Sequence, residues 1–331
     1  MTLEDLADLL SCIRPSADVI VPPLPGFDCG VHKLGRDRCL VISTDPCINV
    51  PMEHFGWLLF HYSASDVSVF GAIPQFCTIE LLGPRDTSPH AFRKAMRQVC
   101  AAADELHTVI ITGHTGTYDG LSTVLGVCTT YGVVHQRDLI TPAGAKPGQL
   151  ILCTKPIGLE ALTNLALRKK RLATRLFGAR RARYLAKQIR MQSCVHEARL
   201  LAKGKAVSAM HDVTEGGLVA SLTELADASN LGFVMDYRNL CMPPELKIMA
   251  EYFNLSKDQI LSMSSTGTLL AAIMPADKER VLKILAAGGV SPRIIGAFTR
   301  EKERIMRYDD QEMKFPRIPN DPYAEIVGSD S

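Results

Sequence analysis

Five short segments of this chain carry residues able to do phosphate and metal chemistry. Asp28 lies in the glycine-flanked turn Gly26-Phe27-Asp28-Cys29-Gly30, and Asp45 follows an apolar strand-like run in Thr44-Asp45-Pro46. Asp66 follows Ser65 inside the otherwise apolar stretch 57–72. Gly113-His114-Thr115-Gly116 trails a second apolar run, and Met210-His211-Asp212-Val213-Thr214-Glu215-Gly216-Gly217-Leu218 leads into a helical one. Carboxylates on separate segments are the hard oxygen donors that Mg²⁺ takes when it also binds phosphate oxygens. A buried acid such as Asp66 needs a compensating partner, which a metal ion supplies.

The 210–218 segment is the most informative. Leu218, Leu222 and Leu225 repeat at helical spacing, which puts Gly216 and Gly217 at a helix start, where unbonded N–H groups and the helix dipole favour phosphate. Asp212 and Glu215, with His211 beside them, are candidate catalytic residues able to bind metal or move a proton. Thr214, Gly216, Gly217, Gly113, His114 and Thr115 are candidate nucleotide contacts. A structural role stays open for each: Asp before Pro satisfies turn backbone, Asp212 or Glu215 can cap the helix, Asp66 can pair with an arginine or cap a helix, and His114 can be a hydrogen-bonded structural histidine.

The elements that must position these residues read as mixed α and β. Runs 17–21, 38–44, 76–82, 108–112 and 123–134 are strand-like in the first half, with 108–112 expected to be buried. Helices are expected over 3–13, with Thr2 as its cap, over 57–70 and over 89–106. The Pro- and Gly-rich run Thr141-Pro142-Ala143-Gly144-Ala145-Lys146-Pro147-Gly148-Gln149 marks a boundary, giving domains 1–148 and 149–331. The second domain is expected to hold strands at 150–154, 269–274 and 293–298, and helices across 160–203, 218–228 and 278–287.

At 331 residues the chain exceeds what one core supports, so two domains are the expectation. A net charge of +2 marks no global attraction to nucleic acid. The exception is 168–190, rich in Arg and Lys and almost without acid. It reads as a solvated helical face or a docking surface for a phosphorylated substrate, and the lack of interleaved aromatics argues against RNA. Ten cysteines scattered singly read as reduced, mostly buried thiols. The opening Met1-Thr2-Leu3-Glu4-Asp5 is acidic where a secretory leader is basic, and no apolar run is long enough to span a bilayer. A cytoplasmic protein with no membrane partner is expected.

Taken in order, the acid in a Gly turn, Ser-Thr-Asp-Pro at 43–46, Ser65-Asp66 with Gly71-Ala72-Ile73-Pro74, Gly113-His114-Thr115, Lys146-Pro147-Gly148 and His211-Asp212-Val213-Thr214-Glu215-Gly216-Gly217-Leu218 resemble the aminoimidazole ribonucleotide (AIR) synthetase superfamily. Its members include AIR synthetase, the hydrogenase expression/formation protein HypE, thiamine-monophosphate kinase and selenophosphate synthetase. The 210–218 segment is most similar to the HypE-like branch. The resemblance implies two α/β domains, a homodimer formed through a barrel of the N-terminal sheets, and Mg-ATP held in a cleft lined by both domains. By position it implies Asp28, Asp45, Asp66 and Asp212 as metal ligands, with γ-phosphate transfer to, or dehydration of, an unknown small-molecule or protein acceptor. A non-catalytic nucleotide-binding accessory protein and a thiamine-monophosphate-kinase-type enzyme are the alternatives.

Three departures from the pattern stand out. Pro316-Arg317-Ile318 is followed by Pro319, where HypE ends in Pro-Arg-Ile-Cys; Gly116 stands where related sequences often place an acid, with Phe27 replacing a polar residue beside Asp28; and Cys29 follows Asp28 outside the context of a selenophosphate synthetase thiol. Dehydration of a carbamoyl group on the chain's own tail is therefore not expected.

Overall fold

The computed structural model describes residues 3–309 and 311–328, so the expected cap Thr2 and the last three residues lie outside it. The chain divides into two compact units, Met1–Leu139 and Ile140–Ser331. Residues 140–148, expected to close the first domain, pack on the second: the Ser229 hydroxyl accepts from the Ala145 N–H at 3.1 Å and donates to the Pro142 carbonyl at 2.8 Å.

The first unit runs α1 (Leu3–Ser11), β1 (Val19–Val21), β2 (Gly30–Lys33), β3 (Arg38–Ile48), α2 (Phe55–Val69), β4 (Phe76–Gly83), α3 (Pro89–Leu106), β5 (Val109–Thr117) and β6 (Leu125–His135). Its sheet has the order β1-β2-β3-β6-β4-β5, antiparallel except for β4 with β5. α2 lies on β3 and β6 with α3 against it. α2 is buried on nearly every side, whereas α3 is amphipathic, capped by the Ser88 hydroxyl and started by Pro89.

β3 continues four residues beyond the expected end at Thr44. Its pairing with β2 stops at Ile42, which leaves one edge open where Pro46, lacking an N–H, is tolerated. β5 also departs from expectation. It is an edge strand, Val109 and Ile111 are exposed, and it runs through Gly113-His114-Thr115 to Thr117. An apolar run of this kind signals burial only when a neighbour covers it, and here pairing is on one side alone.

The second unit contains β7 (Leu150–Cys153), α4 (Leu159–Arg168), α5 (Lys170–Phe177), α6 (Ala179–Ala186), α7 (Val195–Gly204), β8 (Val207–Val213), α8 (Gly217–Ala228), β9 (Gly232–Asp236), α9 (Pro244–Tyr252), α10 (Lys257–Leu261), β10 (Thr268–Ile273), α11 (Lys278–Ala287), β11 (Arg293–Thr299), β12 (Arg304–Tyr308), β13 (Gln311–Lys314) and α12 (Tyr323–Val327). Its sheet order is β13-β12-β9-β11-β7-β10-β8, with only β9 and β12 parallel. β10 is buried at every residue, as a strand covered on both faces must be, which fits the unbroken run Thr268-Leu269-Leu270-Ala271-Ala272-Ile273. Lys155, after β7, is nearly buried with Glu197 and donates to the carbonyls of Met191, Ser193 and Gly267, which ties three loops together. Among the described residues no helix is long and apolar enough to cross a membrane.

Candidate functional site

In the first unit the structure brings Asp45 and Asp66 together. Ser43, Asp45 and Cys47 alternate onto the face of β3 that α2 covers, and Asp66 reaches that face from the fourth turn of α2. The buried Ser43 hydroxyl lies 2.7 Å from Asp66 Oδ2 and 3.2 Å from Asp45 Oδ2. One hydroxyl has one proton, so it donates to a single carboxylate at a time. Two carboxylates around one hydroxyl, with Asp66 only 6% exposed, form an all-oxygen donor set. That chemistry suits a hard divalent cation. Ser43 is a site residue that the acids alone do not reveal.

Asp28 is exposed on the turn before β2. Gly113-His114-Thr115 lies within β5, paired with Ile79-Glu80-Leu81 of β4, rather than in a loop beyond a strand. A Cβ at Gly113 would meet the Ile79 carbonyl at 2.1 Å, so glycine there serves strand packing. His114 Nε2 is 2.6 Å from the Tyr118 hydroxyl.

In the second unit His211 and Asp212 are buried within β8 rather than on the loop entering α8, and the loop is only Thr214-Glu215-Gly216. His211 Nδ1 is 2.7 Å from its neighbour's backbone carbonyl and 3.7 Å from Asp212 Oδ1. Its Nε2 lies 3.3 Å from Glu224 Oε2 on α8. The imidazole thus stands between two carboxylates, an arrangement that steadies a ring able to hold or pass a proton. Glu224 went unmarked in the sequence because its partner is on another element. Glu215 is exposed and Thr214 partly so.

Gly216 and Gly217 do start α8, with φ of 75° and 56°. Their N–H groups already have protein acceptors: Gly217 donates to the Thr214 carbonyl at 3.0 Å, and Gly216 to Asp321 Oδ2 at 3.1 Å. The Asp321 carboxylate also accepts from Tyr323 N–H at 2.9 Å and Ser264 N–H at 3.4 Å. An acid of the chain itself therefore meets the helix start where phosphate was expected. Asp321→Ala is expected to lower the unfolding free energy in urea by about 1.5 kcal/mol, the usual cost of losing a helix cap and orphaning its donors.

Glu160, in the first turn of α4, is a second buried acid. Its Oε2 accepts from the Thr266 hydroxyl at 2.5 Å and its Oε1 from Asn164 at 3.4 Å. Burial pushes its pKa up to about 7; Thr266 opposes this, and the charges of Glu215 and Asp321 add to it. The folded protein therefore binds a proton more tightly than the unfolded chain. This contribution is fully present below about pH 4.5 and is lost as pH rises toward and through 7. Glu160→Gln is expected to flatten the stability profile over that window and to stabilise the protein by about 3 kcal/mol above it, measured as urea midpoints against pH.

Comparison with known proteins matches residues 26–134 to the family described as AIR synthase related protein, N-terminal domain, and residues 146–309 to its C-terminal domain. The chain is 27% identical over 339 residues to the selenide, water dikinase of Myxococcus xanthus, covering 91% of each protein. It is 27% identical over 269 residues to the carbamoyl dehydratase HypE of Cupriavidus necator, covering 78% of this chain and 72% of that protein. The solved structure of the hydrogenase maturation protein HypE in complex with ATP matches the fold with a TM-score of 0.72 at 19% identity, over 88% of this chain and 89% of that one.

Proposed function

Because this chain belongs to the AIR synthase related family, matched in both of that family's domains, we propose that it is a magnesium-dependent ATP-using enzyme that activates an acceptor by phosphoryl transfer. The observation that carries this reading is the pair of carboxylates, Asp45 and Asp66, around the Ser43 hydroxyl. Relatives described as a dikinase and a dehydratase, and a similar fold solved with ATP, support it.

Asp45 and Asp66 would hold Mg²⁺, which would supply positive charge to neutralise triphosphate oxygens. Asp28 and Asp212 are the other two acids proposed for metal. Ser43 orients the carboxylates, while the burial of Asp66 keeps water from screening its charge. In the second unit, the Asp212 backbone carbonyl orients the His211 ring, with the Asp212 and Glu224 carboxylates near its two nitrogens, so that one ring nitrogen can hold or pass a proton. Most of the rate enhancement then comes from placement and charge, the usual division for phosphoryl transfer.

The reading includes a homodimer made through the first unit. The sheet face opposite α2 carries partly exposed Leu40, Ile42, Phe76, Leu82, Val127 and Tyr131, with Phe76 stacked on Tyr131 at 5.1 Å. An apolar sheet face beside an exposed edge strand is the surface a second copy covers. Val127→Glu is expected to turn a dimer into a monomer in light scattering.

The activity itself is tested by ³¹P NMR of ATP and Mg²⁺ with selenide, thiamine monophosphate or a carbamoylated thiol as acceptor. Magnesium-dependent loss of ATP with one acceptor and a new phosphorus signal support the enzyme. Binding of nucleotide without turnover in any mixture would instead mark a nucleotide-binding accessory protein.

A further inference from the structure

The basic segment, read against RNA for want of interleaved aromatics, itself holds Tyr184 on α6 and gains Tyr252 from α9 in the fold. Between Arg168 and Arg190 lie ten Lys and Arg, and no acid occurs from residue 161 to 196. With a net charge of only +2 for the whole chain, the remainder is net acidic, so positive potential concentrates on the surface of α5 and α6. Among the described residues Lys170, Arg171, Arg175, Arg180, Arg183 and Lys187 form no ion pair, and all are exposed. Glu245 of α9 is already bound by Arg181, and Glu251 of α9 lies 4.0 Å from Lys247.

α9 packs on α5 and brings Tyr252 to this surface. Arg175 donates to the Tyr252 hydroxyl at 2.7 Å and its guanidinium lies 5.5 Å from that ring's centre. On α6, Arg181 stacks over Tyr184 at 4.4 Å. Both tyrosines are 48% exposed, leaving ring surface open beside the cations. An open cleft of about 870 Å³, lined by basic residues of 168–175 and by Tyr252 and Phe253, links the first of these pairs to the charged helix.

We infer that this face binds single-stranded RNA, with the arginines and lysines on phosphates and Tyr252 and Tyr184 as stacking platforms for bases. A purely phosphate-binding face needs only the cations, and an acidic protein gains little from half-exposed rings flanked by guanidinium planes. Unpaired bases, characteristic of RNA loops and ends, use both. The inference is independent of the ATP reading, because none of its residues is among the acids proposed to hold metal.

The test is fluorescence anisotropy of a labelled single-stranded oligoribonucleotide with the full chain, against a duplex of the same sequence and with polyglutamate as competitor. Tyr252→Ala is expected to weaken binding about tenfold, the loss of one stacked base. Arg171→Glu is expected to weaken it and to flatten its dependence on salt. Circular dichroism and thermal melting of each variant verify the fold. Equal affinity for the duplex, an unaltered Tyr252→Ala variant, or displacement by polyglutamate at equal charge would overturn the inference and leave a general polyanion or acidic-protein surface.

Discussion

Asp66→Asn is expected to lower magnesium-dependent ATP turnover by about 100-fold or more while leaving the protein about as stable as the wild type. The substitution keeps the shape of the side chain and its contact with the Ser43 hydroxyl, so little packing changes. What disappears is one of two negative charges around a single donor. Removing a fixed electrostatic partner of a developing transition state typically costs a factor of about 100 to 1,000. Activity should therefore fall while stability holds. Steady-state ADP release, paired with urea denaturation in chelator, reads both; a parallel loss of each would make Asp66 a structural acid.

Gly217→Ala carries the largest expected loss of stability, about 4 kcal/mol in urea unfolding. Its φ of 56° is the left-handed region, which costs an alanine about 1–2 kcal/mol. A Cβ there would also lie 2.5 Å from the Met263 carbonyl oxygen and 2.6 Å from the Ser262 carbonyl carbon, backbone atoms that cannot swing aside. Gly148→Ala is the control. Its φ is also positive, at 82°, but a Cβ would meet nothing within 4 Å, so only the conformational cost of about 1 kcal/mol remains. Equal losses at the two positions would show that the close approach at Gly217 contributes nothing.

That glycine shows how function and packing become entangled in a sequence. Gly216-Gly217 before a helical leucine repeat was legible as a helix start. Its partner was not, because Asp321 lies 105 residues away from Gly216 and only the fold brings it there. The same distinction runs through both units. α3 and α11 were legible to the residue, since caps, prolines and helical periodicity are local. Asp66 was legible as a buried acid because a lone carboxylate in an apolar helix requires an explanation. Glu224 sits on another element from His211 and gives no local signal, while Ser43, within the Ser-Thr-Asp-Pro run, shows its role only when α2 brings Asp66 to it. β5 misled for the converse reason, since an apolar run reads as buried even where, as here, the strand is paired on one side alone and Val109 and Ile111 stay exposed. The short strands β2, β12 and β13 and the helices α9 and α10 escaped notice because their patterns are brief. α9 also supplies the tyrosine that changes the reading of the basic face.

The central claim, that Asp45 and Asp66 hold magnesium for ATP, is tested most directly by calorimetric titration with a non-hydrolysable ATP analogue. The titration is run with and without Mg²⁺ on the wild type and on Asp45→Asn and Asp66→Asn. Binding that requires Mg²⁺ in the wild type and is lost in both variants, each still folded by circular dichroism, is the expected result. Nucleotide binding of equal strength without Mg²⁺, or in the two variants, would contradict it.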